Sequence, residues 1–155
     1  MSAFSSASPK LPVSSGYSLA LEQSGLVRYR VTCADTDADG VVYHSRYLEI
    51  LERGRTELFR QEGQSYLTLR QSGVLLPLVE CSLRYHLPAK YDDLLMLETR
   101  VIKTSRRGID FSYTLYCDCS ETRLLTATTR HLFVNESGHS CSLAAIKTLE
   151  ITQKF

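Results

Sequence analysis

The sequence predicts an α+β fold in which one long helix packs against an antiparallel sheet. One segment, residues 46–62, repeats apolar side chains at helical spacing, whereas several others alternate apolar and polar residues with the period of a strand. Gly, Pro and Asp separate these segments. The predicted order is one strand, a long helix and then a series of strands. This order is typical of a fold in which a helix covers one face of a sheet.

The first half of the chain supplies one strand and the helix. Residues 26–33 alternate apolar and polar side chains and are predicted to form a strand. Ser45 is the predicted N-cap of the helix at 46–62, and Gly54 within it would allow close packing. A short second helical segment is predicted over residues 64–71.

The second half is predicted to be an antiparallel meander. Turns are expected at residues 88–93 and 106–108, and residues 143–152 are expected to form a closing helix or tail. The predicted strands are residues 79–86, 94–104, 109–117 and 124–135.

Composition indicates a globular protein of about one domain. The chain has 155 residues, of which 43% are hydrophobic and 23% charged. The net charge of +1 favours neither nucleic acid nor a membrane surface, and no apolar run reaches the ~18–20 residues that span a bilayer. Residues 1–24, rich in Ser, Ala and Pro, are expected to be a flexible tail, and residues 25–155 a single domain.

The cysteines predict a reducing, cytoplasmic location. Their number, five, is odd, and no apolar signal segment precedes them, so a disulfide framework is not expected. Their spacing relative to the histidines matches no standard zinc motif, and no metal is expected. The candidate ligands of such a zinc site would be Cys117, Cys119, His131, His139 and Cys141.

Residues 35–40, Asp-Thr-Asp-Ala-Asp-Gly, concentrate functional side chains and resemble half of a calcium loop. An EF-hand loop needs oxygen ligands at positions 1, 3 and 5, glycine at 6 and a bidentate Glu at 12. Here position 12 is Arg46, which repels a cation, and the preceding segment is a predicted strand rather than a helix. The calcium interpretation is therefore disfavoured.

Two interpretations of this loop remain. One is a solvated turn, since Asp and Gly favour turns and acids offset the dipole at a helix start. The other is an active site, which the apolar, aromatic and imidazole groups of residues 41–44 favour. In that case Asp37 lies near a helix N-terminus whose unpaired N–H groups can stabilise an oxyanion, such as that of a thioester. A carboxylate there can act as nucleophile or general base.

Residues 35–47, Asp-Thr-Asp-Ala-Asp-Gly-Val-Val-Tyr-His-Ser-Arg-Tyr, and 52–57, Glu-Arg-Gly-Arg-Thr-Glu, resemble a signature of hotdog-fold acyl-CoA thioesterases. The similarity is to the 4-hydroxybenzoyl-CoA thioesterase type and, within it, to the bacterial Tol-Pal-associated YbgC-like group. Pro-Ala-Lys-Tyr-Asp-Asp at 88–93 is also typical of that group, and the resemblance covers residues 26–133. It implies a sheet wrapped around a central helix, and hydrolysis of acyl-CoA or acyl-carrier-protein thioesters without a metal or redox cofactor.

The resemblance also implies roles for individual residues. The catalytic aspartate of the family corresponds to Asp37, as nucleophile or general base. The helix-start position, whose backbone N–H polarises the thioester carbonyl, corresponds to His44, and its side chain is expected to assist. Tyr43 and Tyr47 are expected to line the acyl or thioester pocket.

Five further residues have roles that are considered separately. Arg106 and Arg107, in the predicted hairpin, are expected to bind the phosphates of coenzyme A, for which arginine is well suited. Glu52 and Arg55, three residues apart on the helix, are expected to form an ion pair, with Glu52 kept as a second candidate acid. Asp39 departs from the family pattern, in which a small residue is common.

The resemblance implies an oligomer. Hotdog subunits pair through edge strands and place active sites between subunits, so a homodimer or homotetramer is expected. The alternative function is a non-catalytic hotdog module that binds an acyl thioester or a cell-envelope partner. The sequence leaves the acyl group, and the choice between coenzyme A and a carrier protein, open.

Overall fold

The computed structural model of the chain describes residues 24–63 and 65–142, and this part has the predicted α+β architecture. A turn of 3-10 helix at Cys33–Asp35 follows the first strand. Of the tail predicted over residues 1–24, residues 1–23 lie outside the described residues, whereas Ser24 is the first residue of a strand. The closing segment predicted at 143–152 also lies outside the described residues. The elements are β1 (Ser24–Arg30), α1 (Arg46–Gln61), α2 (Tyr66–Gln71), β2 (Leu78–Tyr85), β3 (Leu94–Ser105), β4 (Gly108–Cys117) and β5 (Thr122–Leu132).

The strands of the described residues form one antiparallel sheet in the order β1-β3-β4-β5-β2. Strands β3 to β5 form the predicted meander, but β2 pairs with β5 rather than β3. The predicted turn at 88–93 is therefore a connection between distant strands, not a hairpin. Its backbone is hydrogen-bonded instead to the two residues that follow the acidic loop, which we define as residues 35–40. Val42 N donates to Ala89 O at 2.8 Å, and Val41 forms a β-bridge with Lys90.

The core lies between α1 and the sheet. Alternate residues of β4 from Ile109 to Cys117 are buried, as their pattern predicts. Helix α1 packs on β1 and β3, and the predicted close approach at Gly54 is confirmed. A Cβ atom at Gly54 would lie 2.4 Å from Thr99 Oγ1 and 2.5 Å from Leu97 Cδ2, so only glycine fits this contact without a shift of α1 or of these side chains.

Strand β1 is shorter than predicted and ends before the acidic loop. Cys33, predicted to be in the strand, begins the 3-10 turn instead. The Asp35 carboxylate accepts hydrogen bonds from the backbone N–H and the hydroxyl of Thr32, both at 2.7 Å. These local bonds compete with continued pairing to β3 and turn the chain toward α1. None of the helices in the described segments is long and apolar enough to cross a bilayer.

Candidate active site

The acidic loop is a tight hairpin-like turn that leads from β1 to the start of α1. Asp37 N donates to Val41 O at 2.9 Å, and Gly40 N donates to Asp37 O at 3.1 Å. Gly40 has φ of 76°, in the left-handed region that favours glycine. A bridge between Thr36 and Val42 closes the turn, so the backbone around Asp37 is held on both sides.

The Asp37 carboxylate has one oxygen engaged and one available. Its Oδ1 accepts the backbone N–H groups of Asp39 at 2.9 Å and Val41 at 3.4 Å, whereas Oδ2 accepts no hydrogen bond from any described residue. The side chain is half-buried, and that of Asp39 is exposed. The turn interpretation therefore accounts for one oxygen of Asp37 and leaves the other free to meet a ligand.

Asp35 has a different environment and a structural role. It is 6% exposed, and its Oδ2 accepts hydrogen bonds from Tyr29 Oη and from Thr32 N and Oγ1, each at 2.7 Å. Burial acts to raise the pKa of Asp35, but the hydrogen bonds from Thr32 and Tyr29 outweigh it and hold the pKa below its usual value. Burial and the hydrogen bond to Asp35 in turn raise the pKa of Tyr29.

Helix α1 begins at the predicted N-cap residue but without a capping hydrogen bond. Ser45 has φ of −76° and ψ of −21°, already helical, and its side chain accepts no capping hydrogen bond. The predicted N-cap position is therefore confirmed, but the Ser45 side chain does not cap the helix, because a capping side chain requires an extended backbone. The backbone N–H groups of His44 and Ser45 find no acceptor among the described residues. Together with the helix dipole they form a local donor site.

Aromatic groups surround this helix start. The rings of Tyr43 and His44 lie 4.2 Å apart between centroids, and both residues are exposed. Tyr47 is buried, and its hydroxyl accepts the Ala89 N–H at 3.2 Å. Tyr85, on β2, donates from its hydroxyl to His44 O at 2.9 Å.

A cavity of about 220 Å³ opens beside the helix start. Tyr85 and His86 were not predicted as site residues, although only Leu87 separates them from the 88–93 motif. Tyr43 and Asp37 are not part of the cavity wall, and no hydrogen bond joins Asp37 to His44. The wall consists of Val42, His44, Tyr47, Tyr85, His86, Leu87 and Pro88.

Arg106 and Arg107 lie far from Asp37 within one subunit. They form the exposed tip of the β3–β4 hairpin, whereas the acidic loop follows the end of β1 that pairs with Leu94. Strand β3 separates the two places by twelve residues, roughly 36 Å along a straight strand. A contact of these arginines with a ligand at Asp37 would therefore require another subunit.

The predicted ion pair between Glu52 and Arg55 does not form. Glu52 is exposed, whereas Arg55 is buried and donates from Nη1 to Tyr113 Oη at 3.1 Å. No described carboxylate forms an ion pair with Arg55. Both residues line a second cavity. Within the described ranges, no group of three or more His, Cys, Asp or Glu side chains could hold a metal ion.

Comparison with known proteins places these features in context. Residues 31–153 match the family model of the thioesterase-like superfamily. The chain is 38% identical over 96 residues to the acyl-CoA thioester hydrolase YbgC of Escherichia coli O6:H1, covering 62% of this chain and 70% of that protein. It is 44% identical over 87 residues to the acyl-CoA thioesterase YbgC of Haemophilus influenzae, covering 56% and 64%.

A solved structure supports the same relationship at the level of the fold. The crystal structure of a probable thioesterase from Bartonella henselae superposes with a TM-score of 0.73 at 31% sequence identity. The match covers 77% of this chain and 98% of that one. The match therefore extends over nearly the whole length of the compared structure.

Proposed function

The chain belongs to the thioesterase-like superfamily, and we propose that it hydrolyses an acyl-CoA thioester to a free acid and coenzyme A at Asp37 and the start of α1. Acyl-CoA thioester hydrolysis is the activity named for its YbgC relatives. The observation that carries the assignment to this site is the state of Asp37. Two backbone N–H groups hold its Oδ1, and its Oδ2 has no described partner.

The start of α1 supplies the electrophilic half of the site. The thioester carbonyl oxygen accepts a hydrogen bond from the unpaired N–H of His44, at the positive end of the helix dipole. Negative charge grows on this oxygen as the carbonyl carbon becomes tetrahedral, so the same hydrogen bond strengthens in the transition state. Because the contact is made by the backbone, it does not depend on the imidazole.

Asp37 supplies the other half, by one of two routes. As a general base, it takes a proton from water while the water oxygen bonds to the carbonyl carbon. The C–S bond then breaks and the departing thiolate takes up the proton. As a nucleophile, Asp37 bonds to the carbonyl carbon itself, expels the thiolate, and forms an anhydride that water hydrolyses. Both routes need a carboxylate whose position is fixed and one of whose oxygens is free.

The active unit is proposed to be a homodimer or homotetramer. The outer edge of β2 pairs with no strand of the described segments, and Leu78, Val79 and Tyr85 on it are 46–50% exposed. An exposed apolar edge is a template for pairing with another chain. Since Tyr85 bonds to His44 O, a partner at this edge would complete the site. Arg106 and Arg107 would then bind the coenzyme phosphates of a ligand held by another subunit.

A cytoplasmic location is part of the same proposal. All five cysteines, Cys33, Cys81, Cys117, Cys119 and Cys141, are unpaired, as expected in a reducing compartment. The acyl carrier is proposed to be coenzyme A, because the YbgC relatives are named for that carrier.

Thiol release from a panel of acyl-CoA substrates tests the proposal. Asp37→Asn keeps an Oδ1 acceptor for the turn but removes the charge, and we expect kcat to fall by roughly 10²–10⁴-fold with little change in Tm. The matched control is Asp39→Asn, the same change at an exposed position in the same loop, which should keep wild-type activity. Equal rates for wild type and Asp37→Asn would refute the assignment of Asp37. Binding of acyl-CoA without any turnover would instead indicate the non-catalytic module.

A further inference from the structure

A second cavity, of about 420 Å³, lies between α1, α2 and the β2–β5 side of the sheet. Its volume is within the usual range for small-molecule sites, roughly 300–1,000 Å³. The open side carries Leu48, Glu49 and Glu52, which are exposed, and the closed end carries Arg55, Thr129 and His131, which are buried. The cavity therefore has an apolar and acidic entrance and a polar interior.

A directed chain of hydrogen bonds forms the closed end. Arg55 Nη1 donates to Tyr113 Oη at 3.1 Å, which lies 2.9 Å from Thr129 Oγ1, and this in turn lies 3.1 Å from His131 Nε2. His131 Nδ1 lies 3.2 Å from the carbonyl oxygen of Leu76. Because a carbonyl can only accept, Nδ1 carries the proton and Nε2 accepts from Thr129.

This chain contains one positive charge and no negative one. Burial and the nearby Arg55 charge lower the pKa of His131 to about 4, so the imidazole is neutral at pH 7. Burial raises the pKa of Tyr113 to about 12, so its phenol is also neutral. Arg55 remains charged, since a guanidinium does not lose its proton in proteins.

The Arg55 guanidinium lacks the partner that a buried charge requires. Arg55 is 9% exposed; its Nη1 donates to neutral Tyr113, and the neutral Tyr66 phenol lies beside the same guanidinium without a well-formed hydrogen bond to it. Its Nε and the nearby Tyr66 hydroxyl are buried with no hydrogen-bond partner in the part of the chain that the structure describes. Buried charges in proteins are normally paired with an opposite charge. The acids on the same helix do not neutralise Arg55, since Glu49 forms an ion pair with Arg46 and Glu52 is exposed to solvent.

We propose that this cavity binds the distal carboxylate of an ω-carboxyacyl thioester, with Arg55 and Tyr66 as its donors. The inference rests on the proposed function and narrows its substrate class to thioesters of dicarboxylic acids. A guanidinium donates strong, charge-assisted hydrogen bonds to a carboxylate. The ligand charge would neutralise Arg55, and the Tyr66 hydroxyl would gain an acceptor.

The position of Arg55 along α1 sets the length of the acyl group. Arg55 follows Arg46, the first residue of α1, by nine positions, about 14 Å along a helix axis. Its side chain points back toward the helix start, which shortens this distance. Leu48 and Leu51 line the cavity between the two ends and would contact the methylene groups. With roughly 1.2 Å per bond in an extended chain, diacids of about six to ten carbons fit.

Thermal unfolding of the full chain tests binding without any hydrolysis. We expect adipate, suberate and sebacate to raise Tm more than their uncharged dimethyl esters at equal concentration, since a ligand of the native state stabilises it. Arg55→Met keeps the length of the side chain and should abolish the extra shift. The matched control is Arg53→Met, the same change at an exposed position on the same helix. Tyr66→Phe, which removes only the hydroxyl, should reduce the Tm shift caused by diacids. This second variant tests diacid binding at the cavity if Arg55→Met does not fold.

Hydrolysis of matched thioesters tests the same cavity in turnover. Wild type should cleave suberyl-CoA with at least tenfold higher kcat/KM than octanoyl-CoA, mainly through a lower KM, and Arg55→Met should lose this preference while Arg53→Met keeps it. Equal kcat/KM for the two thioesters together with no extra Tm shift would overturn the inference. A second result would also overturn it: wild type shows no Tm shift with diacids, and Arg55→Met loses the oligomeric state of wild type. A carboxylate of a second copy of the chain would then occupy the cavity. If no thioester is cleaved, the proposed function fails. The Tm shifts with diacids then still show whether the cavity binds a carboxylate.

Discussion

Among single residues, the three acids of the loop occupy three different environments. Asp35 is buried and accepts three hydrogen bonds, Asp37 is half-buried with one oxygen unpartnered, and Asp39 is exposed. The buried acid fixes the loop, and the half-buried one can reach a ligand. Substitutions at the three positions should therefore have separable effects on stability and on activity.

Asp35→Asn should destabilise the fold at neutral pH. Loss of the charged acceptor should lower the free energy of unfolding by about 1–3 kcal/mol. The folded pKa of Asp35 lies below its unfolded value, so the stabilisation is complete above the unfolded value and is lost as pH falls through the folded pKa. Urea unfolding at several pH values should show a constant difference between wild type and variant from pH 7 to about pH 5 that shrinks below about pH 4. A difference independent of pH would contradict the ionised role.

Substitutions at His44 should separate its backbone from its side chain. His44→Ala keeps the unpaired N–H, and we expect kcat to fall by no more than about tenfold. His44→Pro removes the N–H, which bonds to no described residue, and should lower kcat by roughly 10²–10³-fold, as for the loss of one oxyanion donor. Steady-state thiol release measures both, with circular dichroism and Tm confirming that each variant folds. Equal losses in His44→Ala and His44→Pro would assign the role to the imidazole, which both variants lack.

Of the secondary-structure elements, α1 has the largest part in building the site. Its start presents the free N–H groups, its Gly54 contacts β3, and its Arg55 lies in the second cavity. The depth at which α1 lies on the sheet therefore affects both ends of the proposed acyl pocket.

Gly54→Ala should destabilise the protein, although alanine favours helices by up to about 1 kcal/mol over glycine. The new Cβ would meet Thr99 Oγ1 and Leu97 Cδ2 at 2.4 and 2.5 Å, so α1 must move away from β3 or these side chains must shift. Overpacking of this kind costs about 1–3 kcal/mol, measurable by urea unfolding. Glu57→Ala, which removes an exposed ion pair with Arg60 on the same helix, should change stability by less than about 1 kcal/mol. An unchanged or raised stability in Gly54→Ala would show that the contact tolerates a methyl group.

For the whole molecule, the free edge of β2 determines how subunits can complete the site. Strand β2 is exposed along nearly its whole length, and Tyr85 at its end bonds to the backbone of His44. The hairpin tip with Arg106 and Arg107 lies far from Asp37 of the same chain. If Arg106 and Arg107 bind the coenzyme of a ligand at Asp37, as proposed, that ligand must contact more than one subunit.

Val79→Lys should convert the oligomer to monomers and abolish thiol release. A lysine on a sheet edge opposes pairing with a second edge, because the two charges would be brought together and desolvated. Light scattering with size-exclusion chromatography measures the mass. Val79 is 50% exposed, and the control Ile102→Lys alters a residue of β3 that is 54% exposed and should leave at least a dimer. A wild-type monomer that retains full activity would contradict the inter-subunit site.

The sequence by itself determined the secondary structure and the family. Periodicity placed α1 within a residue of its observed bounds and identified each strand, because helical and strand patterns are carried by residues close together in the chain. The loop at 35–40, with the residues that follow it, was sufficient to indicate the thioesterase resemblance, and the match over residues 31–153 agrees. The choice of Asp37 over its neighbours came from that resemblance and stays a prediction.

Only the tertiary structure decided which distant groups meet. It placed β2 beside β5, separated buried Asp35 from half-buried Asp37, and left the side chain of the N-cap residue Ser45 without a capping hydrogen bond. It also gathered Arg55, Tyr113, Thr129 and His131 from α1, β4 and β5 into one hydrogen-bonded chain. Periodicity cannot indicate such contacts, because they join residues far apart in sequence and depend on strand order and on the packing of α1.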